Sequence, residues 1–222
     1  MTPGYLLITN DVDAAHEGEF NSWYQSEHLG ERLSVPGFLT ARRFIAQASE
    51  QRYAAMYETQ SPDVLRSPAY AGLLGTPSEK TRAIMPHFKN ATRIIGRVAF
   101  KHERSAGGVV AILFIDRPNA TDDDAESIGQ IASGALAMGL VPEAVRVIVV
   151  ERDNVGVNTP ESKIRPKPDR TAHLVLVVEW LQATSADLQE LRAALTRAGW
   201  KVESDRGGLY RLLCARAREV AP

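Results

Sequence analysis

The chain has 222 residues, 44% of them hydrophobic and 24% charged, with a formal net charge of -1, the make-up of an ordinary globular protein. That balance excludes a global electrostatic attraction to nucleic acid or to an anionic membrane. A single cysteine, Cys214, excludes an intrachain disulfide and a thiolate metal cluster.

The amino terminus lacks a basic segment followed by a long apolar one, and no apolar run approaches the roughly 20 residues that span a bilayer. A cytoplasmic protein with no membrane and no nucleic-acid partner is expected. The first strand is Tyr5 to Thr9, ended by the turn-prone Asn10-Asp11. A helix runs from about Glu17 to His28, and Gly30 and Pro36-Gly37 break it. Phe38 to Ala46 and Tyr53 to Glu58 follow as strands so close in sequence that they form an antiparallel hairpin. Ser61-Pro62-Asp63 starts a second helix, and Thr92 to Phe100 is a fourth strand. The order is β-α-β-β-α-β.

Ser105-Ala106-Gly107-Gly108 is a natural joint, and beyond it the order repeats. Val109 to Ile115 is a strand, Ala125 to Leu140 a helix, and Ala144 to Val150 and Leu174 to Trp180 are strands. Ser185-Ala186-Asp187 caps a helix, and Leu209 to Ala215 is the last strand. The fold class is therefore α+β, a tandem duplication of a ferredoxin-like βαββαβ unit with halves at residues 1–104 and 105–222. A four-stranded sheet with both helices on one face leaves its other face bare. The two antiparallel sheets are expected to pack together as an intrachain α/β barrel. One segment departs from the repeat: Glu151 to Ala172 joins two strands with a long loop containing the basic, proline-rich run Lys163 to Arg170. It is expected to be a solvated, mobile loop, with a partner-contact arm or a substrate lid as alternatives.

Chemistry is concentrated in the first helix. At 100° per residue Phe20, Trp23, Tyr24 and Glu27 share one stripe with His28 at its edge, whereas the second half offers Ala135 and Leu136 at the corresponding places. A carboxylate in an apolar stripe is either hydrogen-bonded or a proton carrier with a raised pKa. His28 is a general base or a favourable cation near a helix C-terminus. The catalytic candidates are Glu27 and His28, with Trp23 and Tyr24 as substrate-binding walls. His87, in the irregular lead Met85 to Asn90, and Arg42, on a strand where it alternates faces with Arg43, are further substrate-binding candidates. No phosphate loop, metal-ligand pair, nucleophile elbow or dinucleotide fingerprint is present, so neither a metal nor a cofactor is expected.

The run Phe20-Asn21-x-Trp23-Tyr24-x-x-Glu27-His28-Leu29-x-Glu31-Arg32-Leu33-x-x-Pro36-Gly37-Phe38, with Ala41-Arg42-Arg43-Phe44 and Tyr53-x-Ala55-x-Tyr57-Glu58, resembles the dimeric α/β-barrel superfamily, nearest its EthD-like branch. The resemblance covers about residues 5 to 100. It implies two ferredoxin-like units joined through their sheets, in a superfamily that includes muconolactone-isomerase-like enzymes, cofactor-free quinol monooxygenases and haem-dependent enzymes. The expected function is a cofactor-independent small-molecule enzyme, working by isomerase- or monooxygenase-type acid/base chemistry on an aromatic or lactone-like compound. The alternative is a non-catalytic small-molecule-binding or assembly protein. The partners expected are a small apolar or aromatic ligand and a second copy of the chain in a homodimer.

Overall fold

Strands with apolar residues on both faces need cover on both sides, and their outermost edges need hydrogen-bond partners. This chain meets both needs with one closed sheet. The structure is a computed structural model that describes residues 2–115, 117, 121–137, 144–153 and 159–218, with the backbone alone at 135–137 and 144–145. Its strands are β1 (Gly4–Val12), β2 (Phe38–Ser49), β3 (Tyr53–Thr59), β4 (Phe88–Glu103), β5 (Val109–Ile115), β6 (Ala144–Arg152), β7 (Leu174–Trp180) and β8 (Gly208–Ala217).

They form a closed barrel in the order β1-β3-β2-β8-β5-β7-β6-β4, with β4 returning to β1. Within β1–β4 the order is β4-β1-β3-β2, and within β5–β8 it is β8-β5-β7-β6, the same arrangement displaced by four strands. The expected intrachain α/β barrel is present, and it is closed through the strand edges rather than by burying one sheet face on the other. β2 pairs with β8 and β4 with β6, so the two runs are hydrogen-bonded edge to edge and no open edge remains. β4 is longer than the expected Thr92 to Phe100 because its first part pairs with β1 and its last part with β6.

Three apolar clusters follow from the two-residue period of the strands. One receives side chains from all eight strands, among them Tyr5, Phe44, Met56, Ile94, Ile112, Ile148, Val177 and Tyr210, and fills the barrel. The second lies outside β1–β4 beneath the first set of helices, and the third outside β5–β8 beneath α5 (Asp122–Ala137) and α6 (Ser185–Arg197). α6 is capped one residue earlier than expected, by Thr184, whose hydroxyl and the Asp187 carboxylate close a capping box. Cys214 is half-buried on β8. The counterparts Ala135 and Leu136 have no described side chains, and the expected helix end at Leu140 lies outside the described residues.

The first helix is not broken at Gly30. α1 (Glu17–Trp23) runs into a π-helical turn, Tyr24–His28, and on into α2 (Leu29–Ser34). The chain stops helically at Val35 and turns at Gly37, whose φ of +94° suits a residue without a Cβ. The expected helix from Ser61 is instead a 3₁₀ turn (Pro62–Arg66), and α3 (Pro68–Gly75) starts afresh on a Ser67 cap. α4 (Glu79–Ile84) is capped by Ser78.

Candidate functional site

A π turn inserts one extra residue into a helix, so the face presented to the core slips by one position beyond it. That slip decides this site. A uniform α period carries the buried stripe from Phe20, Trp23 and Tyr24 to Glu27. The π turn moves the buried position to His28, which is 5% exposed, and next to Arg32, which is 2% exposed. The His28 ring lies 4.1 Å from that of Trp23, five residues back, and 5.0 Å edge-on from that of Tyr24.

Glu27 therefore does not occupy the apolar stripe. Its side chain is 21% exposed, accepts a hydrogen bond from Ser78 Oγ and lies 3.6 Å from Lys80 Nζ. Ser78 Oγ is 3.1 Å from Thr81 Oγ1, which in turn accepts the Trp23 Nε1–H at 3.1 Å. Glu27 thus braces α4 against the π turn and, through Ser78 and Thr81, orients the Trp23 indole. The expectation of a cation near a helix C-terminus also fails for His28, because the helix continues to Ser34. Burial first, then the guanidinium groups of Arg32, Arg165 and Arg43, hold the imidazole well below its usual pKa. Both effects favour its neutral form.

His28 lines a small chamber of about 20 Å³ between the helix and the outer face of the barrel. Leu6 and Ile8 of β1, Tyr57 of β3 and Arg93 of β4 form its floor; Tyr24, His28 and Arg32 form its roof; Tyr70, Met85 and Phe88 form its sides. Glu161 and Arg165 complete it, and both come from the long segment that the sequence analysis expects to be solvated. That expectation is corrected for the described residues 159–170; residues 154–158 of the same loop lie outside them. Glu161 N–H donates to Leu74 O at 3.2 Å, Arg170 N–H to Ala91 O at 2.8 Å, and Arg93 N–H to Arg170 O at 2.9 Å. The Glu161 carboxylate takes both oxygens to Arg32 Nη2 at 2.6 Å, and Ile164 packs against the apolar cluster beneath α1. The basic run is a strap across the first set of helices, held by backbone pairing and one buried ion pair.

Four residues of the chamber lining each carry a buried polar atom with no hydrogen-bond partner in the protein: His28 Nδ1, Arg32 Nη1, Tyr57 Oη and Arg165 Nε. Glu31 Oε2 is the carboxylate oxygen beside His28 Nδ1, at 3.6 Å, beyond hydrogen-bonding reach. Orphaned buried donors are rare and call for a ligand or a water. A space of about 20 Å³ admits one water or one ligand oxygen. Burial pushes the Tyr57 hydroxyl well above its ordinary pKa, so it keeps its proton and stays a donor. Two guanidinium N–H groups and a phenol would thus meet an oxygen that becomes anionic beside a neutral imidazole.

Of the other candidates, Tyr24 lines the chamber, whereas Trp23 packs on the His28 ring and lines the outer groove between α1 and α4 instead. Arg42 and His87 are not brought to the chamber. Arg42 points into the barrel interior, where it bonds Glu179, whereas Arg43 lies under the helix with its guanidinium 4.0 Å from the Tyr24 ring and 2.9 Å from Asn21 Oδ1. His87 stacks on His16 at 3.5 Å near the protein surface, with Nδ1 3.4 Å from Asp13 Oδ2. Sequence reasoning overlooked Arg32, Tyr57, Glu161 and Arg165. Arg32 stands four residues after His28, a spacing that places both on one helical face; Glu161 and Arg165 carry no sequence signal that links them to the helix.

Among the described residues no group of three or more histidine, cysteine, aspartate or glutamate side chains could hold a metal ion, and no helix is long and apolar enough to cross a membrane. A haem does not fit the chamber: the buried imidazole that could ligate it faces about 20 Å³, with no slot for a macrocycle. A wider groove of about 560 Å³ runs between α1 and α4, lined by Ser22, Trp23, Ser26, Lys80, Ala83 and Ile84 among others. His28 is not among its lining residues, and none of those residues carries an orphaned buried polar atom.

No family model matches the chain, and no curated protein matches it in sequence. Solved structures do share its fold. An anthrone oxidase-like protein superimposes with a TM-score of 0.63 at 12% identity, over 98% of this chain and 93% of the other. A chlorite dismutase variant from Candidatus Nitrospira defluvii gives 0.56 at 11% identity, over 95% and 91%. A candidate monooxygenase from Fusobacterium nucleatum gives 0.53 at 9%, over 98% and 95%. At these identities the likeness is one of fold, an α/β barrel, closed here within a single chain.

Proposed function

We propose that this chain is a small-molecule enzyme in which neutral His28 takes a proton from a phenolic or enolisable substrate, while Arg32, Tyr57 and Arg165 receive the oxygen that becomes anionic. The observation that carries this reading is the set of four unpartnered buried polar atoms on residues that line one small chamber. Removing a proton from carbon or oxygen leaves an enolate or phenolate. Donors already in place beside it stabilise that charge with little reorganisation. Reprotonation at another atom gives isomerase-type chemistry; with dioxygen as co-substrate, an activated CH2 group is oxidised to C=O, one oxygen atom entering the product and the other leaving as water, with all four electrons drawn from the substrate. No cofactor is needed for the proton step. Glu27 enters this reading as a positioning residue for Trp23.

The repeated strand order supports a finer reading of the fold, as two copies of one βαββαβ unit meeting near residues 104 and 105. The helix motif with Trp23, Glu27 and His28 supports a place in the EthD-like branch.

The test uses 2-naphthol, whose absorbance reports its ionisation. With the native chain near pH 7, bound naphthol should show the naphtholate spectrum. His28→Asn should bind it in the protonated form, and Tyr57→Phe should lower the naphtholate fraction. Binding without ionisation in the native chain would favour the second reading, a non-catalytic small-molecule-binding or assembly protein, which the small size of the chamber itself favours.

A further inference from the structure

The chamber admits an oxygen atom but not a ring, so the body of any substrate has to lie elsewhere. Phe88 and Arg165 belong to two walls at once. On one side they bound the chamber, and on the other they bound an outer cleft of about 280 Å³ whose remaining lining is Lys89, Asn90, Ala91, Pro166 and Lys167. The Arg165 guanidinium lies 5.4 Å from the centre of the Phe88 ring, and this stacked pair is all that the two spaces have in common. The volumes divide the ligand accordingly, with one oxygen inside and a body of one or two rings outside.

The cleft's chemistry narrows the ligand further. Ala91, Pro166 and the Phe88 ring are apolar and flat, a surface for an aromatic face. Its charged lining is entirely basic: Lys89, Arg165 and Lys167. Lys89 is paired with Asp13 and Arg165 with Asp169. Lys167 makes no ion pair among the described residues, and it stands on the same strap that carries Arg165. An apolar floor with one uncommitted cation at its rim suits a flat ring bearing an anionic group.

The geometry points to an aromatic acid as the substrate class: its reacting oxygen enters the chamber past Arg165, its ring lies over Phe88 and Pro166, and its carboxylate meets Lys167. This inference rests on the proton-transfer reading for the inner oxygen, whereas the cleft's preference for an anion is separable from it. The strap therefore supplies a chamber donor, Arg165, and the residue that selects the substrate, Lys167.

The test compares 2-naphthol with 6-hydroxy-2-naphthoate on the full chain, following both dissociation constants and the absorbance of the ionised ring. The carboxylated probe should bind at least tenfold more tightly. Lys167→Glu should reduce that preference to less than twofold, with Lys167→Gln between the two. Equal affinity for the two probes, a preference untouched by Lys167→Glu, or no binding of either would overturn the inference. A preference that depends on Lys167 without any naphtholate signal would support the anionic cleft and overturn the proton-transfer reading alone.

Discussion

Arg42 of β2 and Glu179 of β7 meet inside the barrel with two guanidinium nitrogens on the two carboxylate oxygens, at 2.7 and 2.6 Å. Arg146 of β6 holds Glu58 of β3 at 2.7 Å, so each arginine's shortest ion pair is with an acid of the other run of four strands. Glu179 also lies 3.3 Å from Arg146 and accepts the Gly107 N–H at 2.9 Å. The exchange ties the two runs together beside the apolar cluster that fills the barrel.

A buried charge that loses its partner is costly, whereas replacing the whole pair by apolar groups is far less so. Glu179→Leu is expected to destabilise the protein by about 3–5 kcal/mol. Combining it with Arg42→Met should recover most of that loss, since Arg146 and Glu58 remain paired. Urea unfolding of the three chains decides the matter, and a single-variant loss below about 1 kcal/mol, the scale of an exposed pair, would show that water reaches this cluster.

His28 makes stability depend on pH in a known direction. Its folded-state pKa is depressed, so below about pH 6.5 the unfolded chain binds a proton that the folded chain does not. The contribution is complete above that pH. It is lost as the pH falls towards the folded-state value, at up to ~1.4 kcal/mol per pH unit. His28→Gln should lack this part of the acid sensitivity while keeping that of the other four histidines. Denaturant midpoints between about pH 7 and pH 5 give the comparison, and identical slopes would mean that His28 is solvated in the folded protein.

The strap should resist amide exchange. Its Arg170 and Glu161 N–H groups, and the Arg93 N–H bonded to it, are committed to backbone carbonyls at 2.8, 3.2 and 2.9 Å. Glu161→Ala removes the carboxylate that neutralises Arg32 and should raise exchange across residues 161–170 more than in β5 or β7. Rapid exchange in the native chain would restore the solvated loop that the basic run suggests.

Residues 1–104 expressed alone would carry two open edges, β2 and β4, because the strands that cover them are β8 and β6. The fragment should self-associate, satisfying those edges with a second copy. Sedimentation checks this, and a stable, well-folded monomer would show that closure is not required by the first run.

Much of the fold was legible because hydrophobic period and turn residues are local. Eight strands, a break near Gly107-Gly108 and a repeated order follow from alternation in segments such as Tyr53–Thr59 and from the glycines and prolines between them. The helix carrying Trp23, Glu27 and His28 was equally plain, as was the division of Arg42 and Arg43 between faces. Which member of the Glu27-His28 pair is buried was not. That depends on the single-residue slip of a π turn, which a uniform 100° period does not represent. The partners of His28 were hidden for a second reason. Arg32 and Glu161 are 129 positions apart and meet only after the barrel has closed and the strap has docked. Sequence alone determined the eight strands and the helix that bears the imidazole. The tertiary structure alone decided that Arg32, Tyr57 and Arg165 surround it, because burial and ion pairing are set by non-local packing.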